Sequence, residues 1–348
     1  MRCLITGGAG FIGSHLAEAL LARGDTVTAL DNLSTGTREN VRHLEGNPRF
    51  RFVVGDVLDP ETVAALMSRC DVVFHLAAAV GVKRIIDHPL ASIQNNLRGT
   101  EVVLEQADRF GKKVLLASTS EVYGKNGHGP LHEDSDRVIG STTITRWLYA
   151  TTKACDEFMA LAYHRERKLP VVIVRFFNTV GPRQTGQYGM VVPRFVQQAL
   201  LGEPITIYGD GKQTRCFTDV ADTVRCVVAL ADNPRAEGRV FNIGNGREIS
   251  IEELARQVIA ITRSSSPIVY IPYEEAYEAG FEDMRRRVPN TDRLRETIGF
   301  APGIPFEQTL RRIISHFELT LPAPVAPAVG EDVLPPRLHP EAALAAVG

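Results

Sequence analysis

Short apolar runs bounded by polar or glycine-rich turns recur along the first half of the chain, at residues 2–5, 26–30, 50–54, 72–76, 113–117 and 171–176. Runs of this length between turn signals predict buried strands. Between them, apolar residues return every three or four positions, as Leu16, Ala19 and Leu20 do within 14–23. That spacing predicts helices packed by one face, with Gly24 placed to stop the first of them. Further helices are predicted over 92–110 and from Tyr149 to about residue 167. Strand–helix units in succession predict an α/β fold with a parallel, doubly wound sheet and its ligand at the strand C-termini.

From about Gly181 the pattern changes. Predicted helices (192–201, 220–231, 251–261) alternate with short strands (205–208, 240–243, 268–270) and many Gly and Pro turns. The expectation is a cofactor-binding domain over 1–180 and a smaller α/β substrate lobe over 181–318, its elements intermixed with the first. The Pro- and Ala-rich stretch 319–348 reads as a mobile tail without catalytic importance.

Composition narrows the function without naming it. Hydrophobic residues make up 44% of 348 and charged residues 23%, ordinary values for a globular chain with a large core. A formal net charge of −2 gives no electrostatic case for nucleic acid or an anionic membrane. The five cysteines show no CxxC and no metal-ligand spacing, so no metal is expected. Without an apolar segment of about 18 residues or a signal-like start, the expected location is the cytoplasm.

The chemistry concentrates in two stretches. Thr6-Gly7-Gly8-Ala9-Gly10-Phe11-Ile12-Gly13 joins a predicted strand to a predicted helix, and Asp31 ends the next strand eighteen residues beyond Gly13. Glycines there permit a tight turn and bring backbone N–H groups close to a pyrophosphate at a helix N-terminus. An acid at that distance accepts hydrogen bonds from a ribose diol, which favours NAD over NADP. Candidate cofactor contacts are Gly7, Gly10, Phe11, Ile12, Gly13, Asp31, Asn32, Val57, Leu76, Ala77, Ala78, Asn95 and Lys153. Asp56 could face the adenine edge or cap the helix after Pro60. The second stretch is the hydroxyl-rich strand end Ser118-Thr119-Ser120-Glu121, followed downstream by Tyr149-x-x-x-Lys153. Tyr and Lys four apart share one helix face. A phenol is a poor base near neutral pH, and a neighbouring ammonium favours the phenolate. Tyr149 is therefore the expected base, Lys153 its electrostatic support and ribose anchor, and Thr119 a partner of the substrate oxygen.

These motifs, with Asn178, Gly181-Pro182-Arg183, Tyr208-Gly209-Asp210-Gly211 and Arg215, resemble the extended short-chain dehydrogenase/reductase family over about residues 1–318. Its members are nucleotide-sugar epimerases, dehydratases and decarboxylases. The resemblance implies a Rossmann-type fold and bound NAD. It also implies a UDP- or dTDP-sugar with its C4 hydroxyl offered to Tyr149, and a homodimer packed through helices near 92–110 and 149–167. Carried over by position, Tyr208, Asn178, Arg183, Arg215 and Arg287 would hold the substrate. Ser120 stands where the family's dehydratases carry an acid, and Glu121 where simple 4-epimerases carry a small or apolar residue. Arg146-Trp147-Leu148-Tyr149, Gln213–Asp219 and Gly280-Phe281-Glu282-Asp283 with Arg287 resemble UDP-glucuronate decarboxylases. In that scheme Ser120 and Glu121 assist positioning and proton delivery, while Arg287 or Arg84 receives the carboxylate. Glu121 could instead be a structural carboxylate closing a local network. The loop 80–88 follows neither decarboxylase pattern, which leaves 4-epimerisation of a UDP-hexose or UDP-hexuronate as the alternative. A non-catalytic NAD-sensing regulator would leave Tyr149, Lys153 or Thr119 dispensable, and all three are present.

Overall fold

Seven strands form one parallel sheet: β1 (Arg2–Thr6), β2 (Thr26–Asp31), β3 (Phe50–Val54), β4 (Val72–His75), β5 (Lys113–Thr119), β6 (Val171–Phe176) and β7 (Arg239–Ile243). The computed structural model describes residues 1–186, 190–276 and 284–321, with the side chains of 82–84 and 274 outside that set. The sheet order is β7-β6-β5-β4-β1-β2-β3. Strand succession reverses between β2–β3 on one side of β1 and β4 on the other, which opens a crevice at the C-terminal edge. This is the doubly wound, Rossmann-type sheet that the alternating pattern predicts, with strand bounds differing from the predicted ones by no more than two residues.

Both faces of the sheet are covered, which is why its strands read as unbroken apolar runs. In Val171-Val172-Ile173-Val174 the side chains alternate between two cores. Val172 and Val174 pack with Leu16 and Leu20 of α1 (Phe11–Arg23). Val171 and Ile173 pack with Val102 and Val103 of α2 (Pro89–Phe110) and Ala160 of α3 (Leu148–Arg167). Gly24 ends α1 in the left-handed region at φ 102°, its N–H donating back to Leu20 and Leu21.

The intermixing of lobes has a definite form. Strand β7 and α4 (Val220–Asp232), both beyond residue 181, belong to the first core. β7 pairs with β6, and Val224, Val227 and Phe241 pack with Ile5 and Leu20. The smaller lobe keeps a parallel pair (Ile205–Tyr208 with Ile268–Ile271) and an antiparallel pair (Thr214–Cys216 with Glu248–Ser250). Its core lies between helices Val191–Leu201, Ile251–Thr262 and Phe306–Thr320. The last of these is absent from the sequence reading, although Leu310, Ile313, Ile314 and Phe317 carry the helical spacing and are buried. It runs to Thr320, past the predicted start of the tail; residues 322–348 lie outside the described residues.

One buried polar network joins these parts. Arg175 on β6 donates to both oxygens of Glu157 on α3 (2.9 and 2.7 Å) and to the Tyr123 hydroxyl (2.9 Å). The Ser118 hydroxyl at the end of β5 donates to Glu157, and Tyr123 donates to Asn242 of β7 at 2.7 Å. Arg175 and Glu157 are each 6% exposed. Removing one member of a buried pair strands the other charge. Arg175→Leu is therefore expected to lower the unfolding free energy by about 3–5 kcal/mol, measured by urea titration. A loss below about 1 kcal/mol would show that the pair carries no structural weight.

Candidate active site

A single cavity of about 550 Å³ runs from the glycine turn after β1, past the end of β5, to the smaller lobe. That volume and position suit a small-molecule site at a sheet edge. At the cofactor end the backbone is packed too tightly for side chains. Gly7 has φ +71°, and a Cβ there would meet Ala77 N at 2.9 Å; one on Gly13 would lie 2.2 Å from Gly7 O. No side chain caps the N-terminus of α1 at Gly10, so its first amides open onto the cavity. Asp31 ends β2 and accepts from Ala9 N (3.0 Å) and Leu33 N (2.8 Å). Burial pushes its carboxyl up, against the pull of the Leu33, Ala9 and Gly10 amides. Open amides for phosphates and a carboxylate for a ribose diol fit the NAD expected here.

Asn32, Val57, Leu76, Ala77, Ala78 and Asn95 line the cavity as well. Asp56 is not among the lining residues: it accepts from Asn32 Nδ2 (2.9 Å) and Leu58 N (2.9 Å). Nor does it cap the helix Pro60–Met67, whose N-cap is Asp59, accepting from Glu61 N at 3.0 Å. Asn96, overlooked in the sequence, fixes the small-residue turn by bonding Ala79 through both N–H (2.7 Å) and C=O (3.3 Å).

At the centre, Thr119, Ser120, Glu121 and Tyr149 all face the cavity. Thr119 starts a 3₁₀ turn, Ser120–Tyr123, and its hydroxyl accepts from Glu121 N at 3.2 Å. Glu121 is held between two guanidinium groups, Arg146 (2.6 Å) and Arg287. Burial alone would push its carboxyl up, but the two arginines overcome it and hold it far below the usual carboxylate range. A carboxylate so held accepts hydrogen bonds and does not deliver protons, which favours the structural role over proton delivery. Arg146 is the chief residue missed as an individual. It sits three positions before Tyr149, and its role depends on a partner distant in sequence.

Tyr149 and Lys153 occupy the same stretch of α3 but face different surroundings. Lys153 is buried, absent from the cavity wall, and donates to Asp156 Oδ2 at 2.7 Å. Burial pushes the Tyr149 phenol up, and the Glu121 and Asp156 carboxylates push it further. The lowering expected from Lys153 is therefore not what the protein groups alone produce.

Toward the smaller lobe, Asn178 (φ +36°) accepts from Arg287 Nη2 at 3.3 Å and donates to Cys216 O at 3.1 Å. Tyr208 lines the cavity, with the Arg194 guanidinium 4.2 Å from its ring centroid. Arg215 lines it too, donating to the Met284 carbonyl at 2.8 Å. Arg183 lies at the wall but donates to Glu18 of α1 (2.7 Å) and to Asn40 O (3.0 Å). The side chain of Arg84 and the stretch Gly280–Asp283 lie outside the described residues. Among the described residues no cluster could hold a metal ion, and no helix is long and apolar enough to cross a membrane.

Residues 3–244 match the model of the NAD dependent epimerase/dehydratase family. The chain belongs to this family. It is an NAD-dependent enzyme. UDP-N-acetyl-alpha-D-glucosaminuronate decarboxylase of Bacillus cytotoxicus is 45% identical over 317 residues, covering 91% of this chain and 97% of its own. UDP-glucuronic acid decarboxylase 1 of Arabidopsis thaliana is 38% identical over 320 residues, covering 91% and 70%. Among solved structures, UDP-glucose 4-epimerase of Thermotoga maritima with UDP-glucose superposes with a TM-score of 0.83 at 32% identity, covering 92% and 100%. UDP-glucuronic acid 4-epimerase of Bacillus cereus with UDP-glucuronic acid and NAD gives a TM-score of 0.83 at 30% identity, covering 92% and 99%.

The Asp31 carboxylate can accept both ribose hydroxyls only when ionised, so a bound ribose lowers its pKa. NAD affinity is then full above the raised free-state pKa and lost as pH falls through it. Calorimetric titration of NAD is expected to show this acid-side loss at a pH higher than an unperturbed aspartate would give. Asp31→Asn should bind more weakly and with no such pH dependence; an unchanged pH dependence in that variant would remove Asp31 from the ribose site.

Proposed function

We propose that the protein is a UDP-hexuronate decarboxylase acting on UDP-glucuronate or its 2-acetamido counterpart. The observation that carries this reading is the Glu121 cluster beside Tyr149. Two guanidinium groups flank one carboxylate in a buried wall next to the proposed base. A hexuronate carboxylate suits a wall that carries two guanidinium groups, since guanidinium pairs with carboxylate in a bidentate geometry. The decarboxylase relatives support the same choice.

Tyr149 takes the proton of the sugar C4 hydroxyl while Thr119 accepts or donates at the same oxygen. NAD, when bound, supplies the acceptor for the C4 hydride. Oxidation to a C4 ketone makes the C5 carboxylate part of a β-keto acid. Its C–C bond then breaks, CO2 leaves, and the electron pair remains as a C4–C5 enolate that is protonated at C5. Arg287, steadied by Glu121, orients the carboxylate for this loss. Ser120, buried and without an acidic proton, cannot expel a C6 hydroxyl as a dehydratase must.

Asn178, Arg215 and Tyr208 hold the nucleotide-sugar, and Arg84 is a further candidate for its carboxylate. A homodimer through helices Pro89–Phe110 and Leu148–Arg167 is part of the proposal, supported by Phe158, which is 66% exposed on the second of them. A cytoplasmic location agrees with the cysteines, which are all free, four of them buried.

Incubation with each UDP-hexuronate and NAD, followed by mass analysis, is expected to show products lighter by one CO2 where the hydride returns to C4, or by CO2 and two hydrogens where the 4-keto sugar leaves with the hydride still on the cofactor. An isomer of unchanged mass but altered retention would make the protein a 4-epimerase instead. Tyr149→Phe is expected to lower turnover about a hundredfold or more, the scale of a lost general base. Near-native turnover in that variant would deprive Tyr149 of its role.

A further inference from the structure

The family reading accounts for Tyr149 and Lys153 but not for what lies behind them. Asp156, one helical turn beyond Lys153, is completely buried and ion-paired with it, the two side chains being 3% and 0% exposed. Its second oxygen, Oδ1, is buried without a hydrogen-bond partner, and burial pushes the carboxyl up against the pull of the Lys153 ammonium and the Thr100 hydroxyl of α2. Thr100 Oγ1 lies 3.1 Å from His75 Nε2, and His75 Nδ1 lies 2.8 Å from Thr6 Oγ1, which accepts from Ala77 N at 3.3 Å. Burial and the Lys153 charge push His75 down to about 3, so the ring is neutral. One consistent proton arrangement then runs from Ala77 N–H to Thr6, Thr6 O–H to His75 Nδ1, His75 Nε2–H to Thr100, and Thr100 O–H toward Asp156. Every donor in that chain points at the carboxylate.

We infer that Asp156 is a positioning residue acting through Lys153: a buried counter-charge that sets the pH at which Tyr149 can take the substrate proton. It holds the ammonium inside α3 and offsets a positive charge that would otherwise favour the phenolate. The other charged groups around it are accounted for. Glu157 on α3 is paired with Arg175 of β6, His75 of β4 is neutral, and Glu121 beyond β5 is held by Arg146 and Arg287. The inference rests on the proposed role of Tyr149 as base.

The test compares wild type, Asp156→Asn and Asp156→Glu in two measurements. One is the pH dependence of substrate oxidation. The other is the phenolate titration seen by ultraviolet difference spectroscopy against the corresponding Tyr149→Phe proteins, which needs no turnover. In Asp156→Asn both the acid limb of the rate profile and the phenolate transition are expected about one pH unit lower. Asp156→Glu, which keeps the charge, is expected to return both close to the wild-type position. Should the Asn variant fail to fold, Asp156→Ala supplies the neutral side chain with the same expectation. A limb that stays in place while kcat falls, or that moves upward, overturns the inference. Failure of the Tyr149 reading is distinguishable, because Tyr149→Phe would then turn over normally whatever Asp156 does.

Discussion

The buried contact between Arg175 and Glu157 ties together the elements that carry Thr119 and Tyr149. Glu157 stands one turn after Lys153 on α3 and receives the Ser118 hydroxyl at the end of β5. Arg175 reaches on to Tyr123, and Tyr123 to Asn242 on β7. The strand end that presents Thr119, the helix that presents Tyr149 and the edge strand supplied by the later sequence are therefore locked in one register. Such a network is costly to bury, and it holds only because each member is satisfied by another. Its value is geometric, since a hydroxyl displaced by an ångström is a poor partner in proton transfer.

Above that network the site is an arrangement of charges in which carboxylates and arginines alternate. Glu121 is pinned by Arg146 and Arg287, and Lys153 is pinned by Asp156. Each pair removes the freedom of a long side chain before any ligand arrives. Two guanidinium groups sit at the wall where an anionic sugar would press, and the Lys153–Asp156 pair lies buried off that wall. Both act in a dry environment, where charges are felt more strongly than at a surface.

The features written locally were legible in the sequence. The glycine turn, Asp31 and the Tyr149–Lys153 spacing depend on a few neighbouring residues, and each occupies the element predicted for it. Strands buried on both faces announced themselves as unbroken apolar runs. What stayed hidden depends on partners far along the chain. Nothing near Arg146 indicates that Glu121, 25 positions earlier, will hold it. Asp156 reads as an ordinary helix-surface acid until the packing of α2 against α3 seals it. Asp56 and Asp59 differ in the sequence only by proximity to Pro60, and backbone geometry decides which one caps. Strand β7 was recognised as a strand, but its pattern carries no label naming the sheet it joins.

That last strand has a bearing on how the molecule comes into being. The first core is sealed on one face by α4 and at its edge by β7, and these arrive only as the chain passes residue 243. A nascent chain that has emerged to the end of β6 holds six strands in order, with a core still lacking Val224, Val227 and Phe241 and with an unpaired β6 edge. Exposed apolar surface and open strand edges are what chaperones bind and what misassembles in their absence. The sheet core is thus completed only by residues that come after the first 180, in the part of the chain that also builds the smaller lobe.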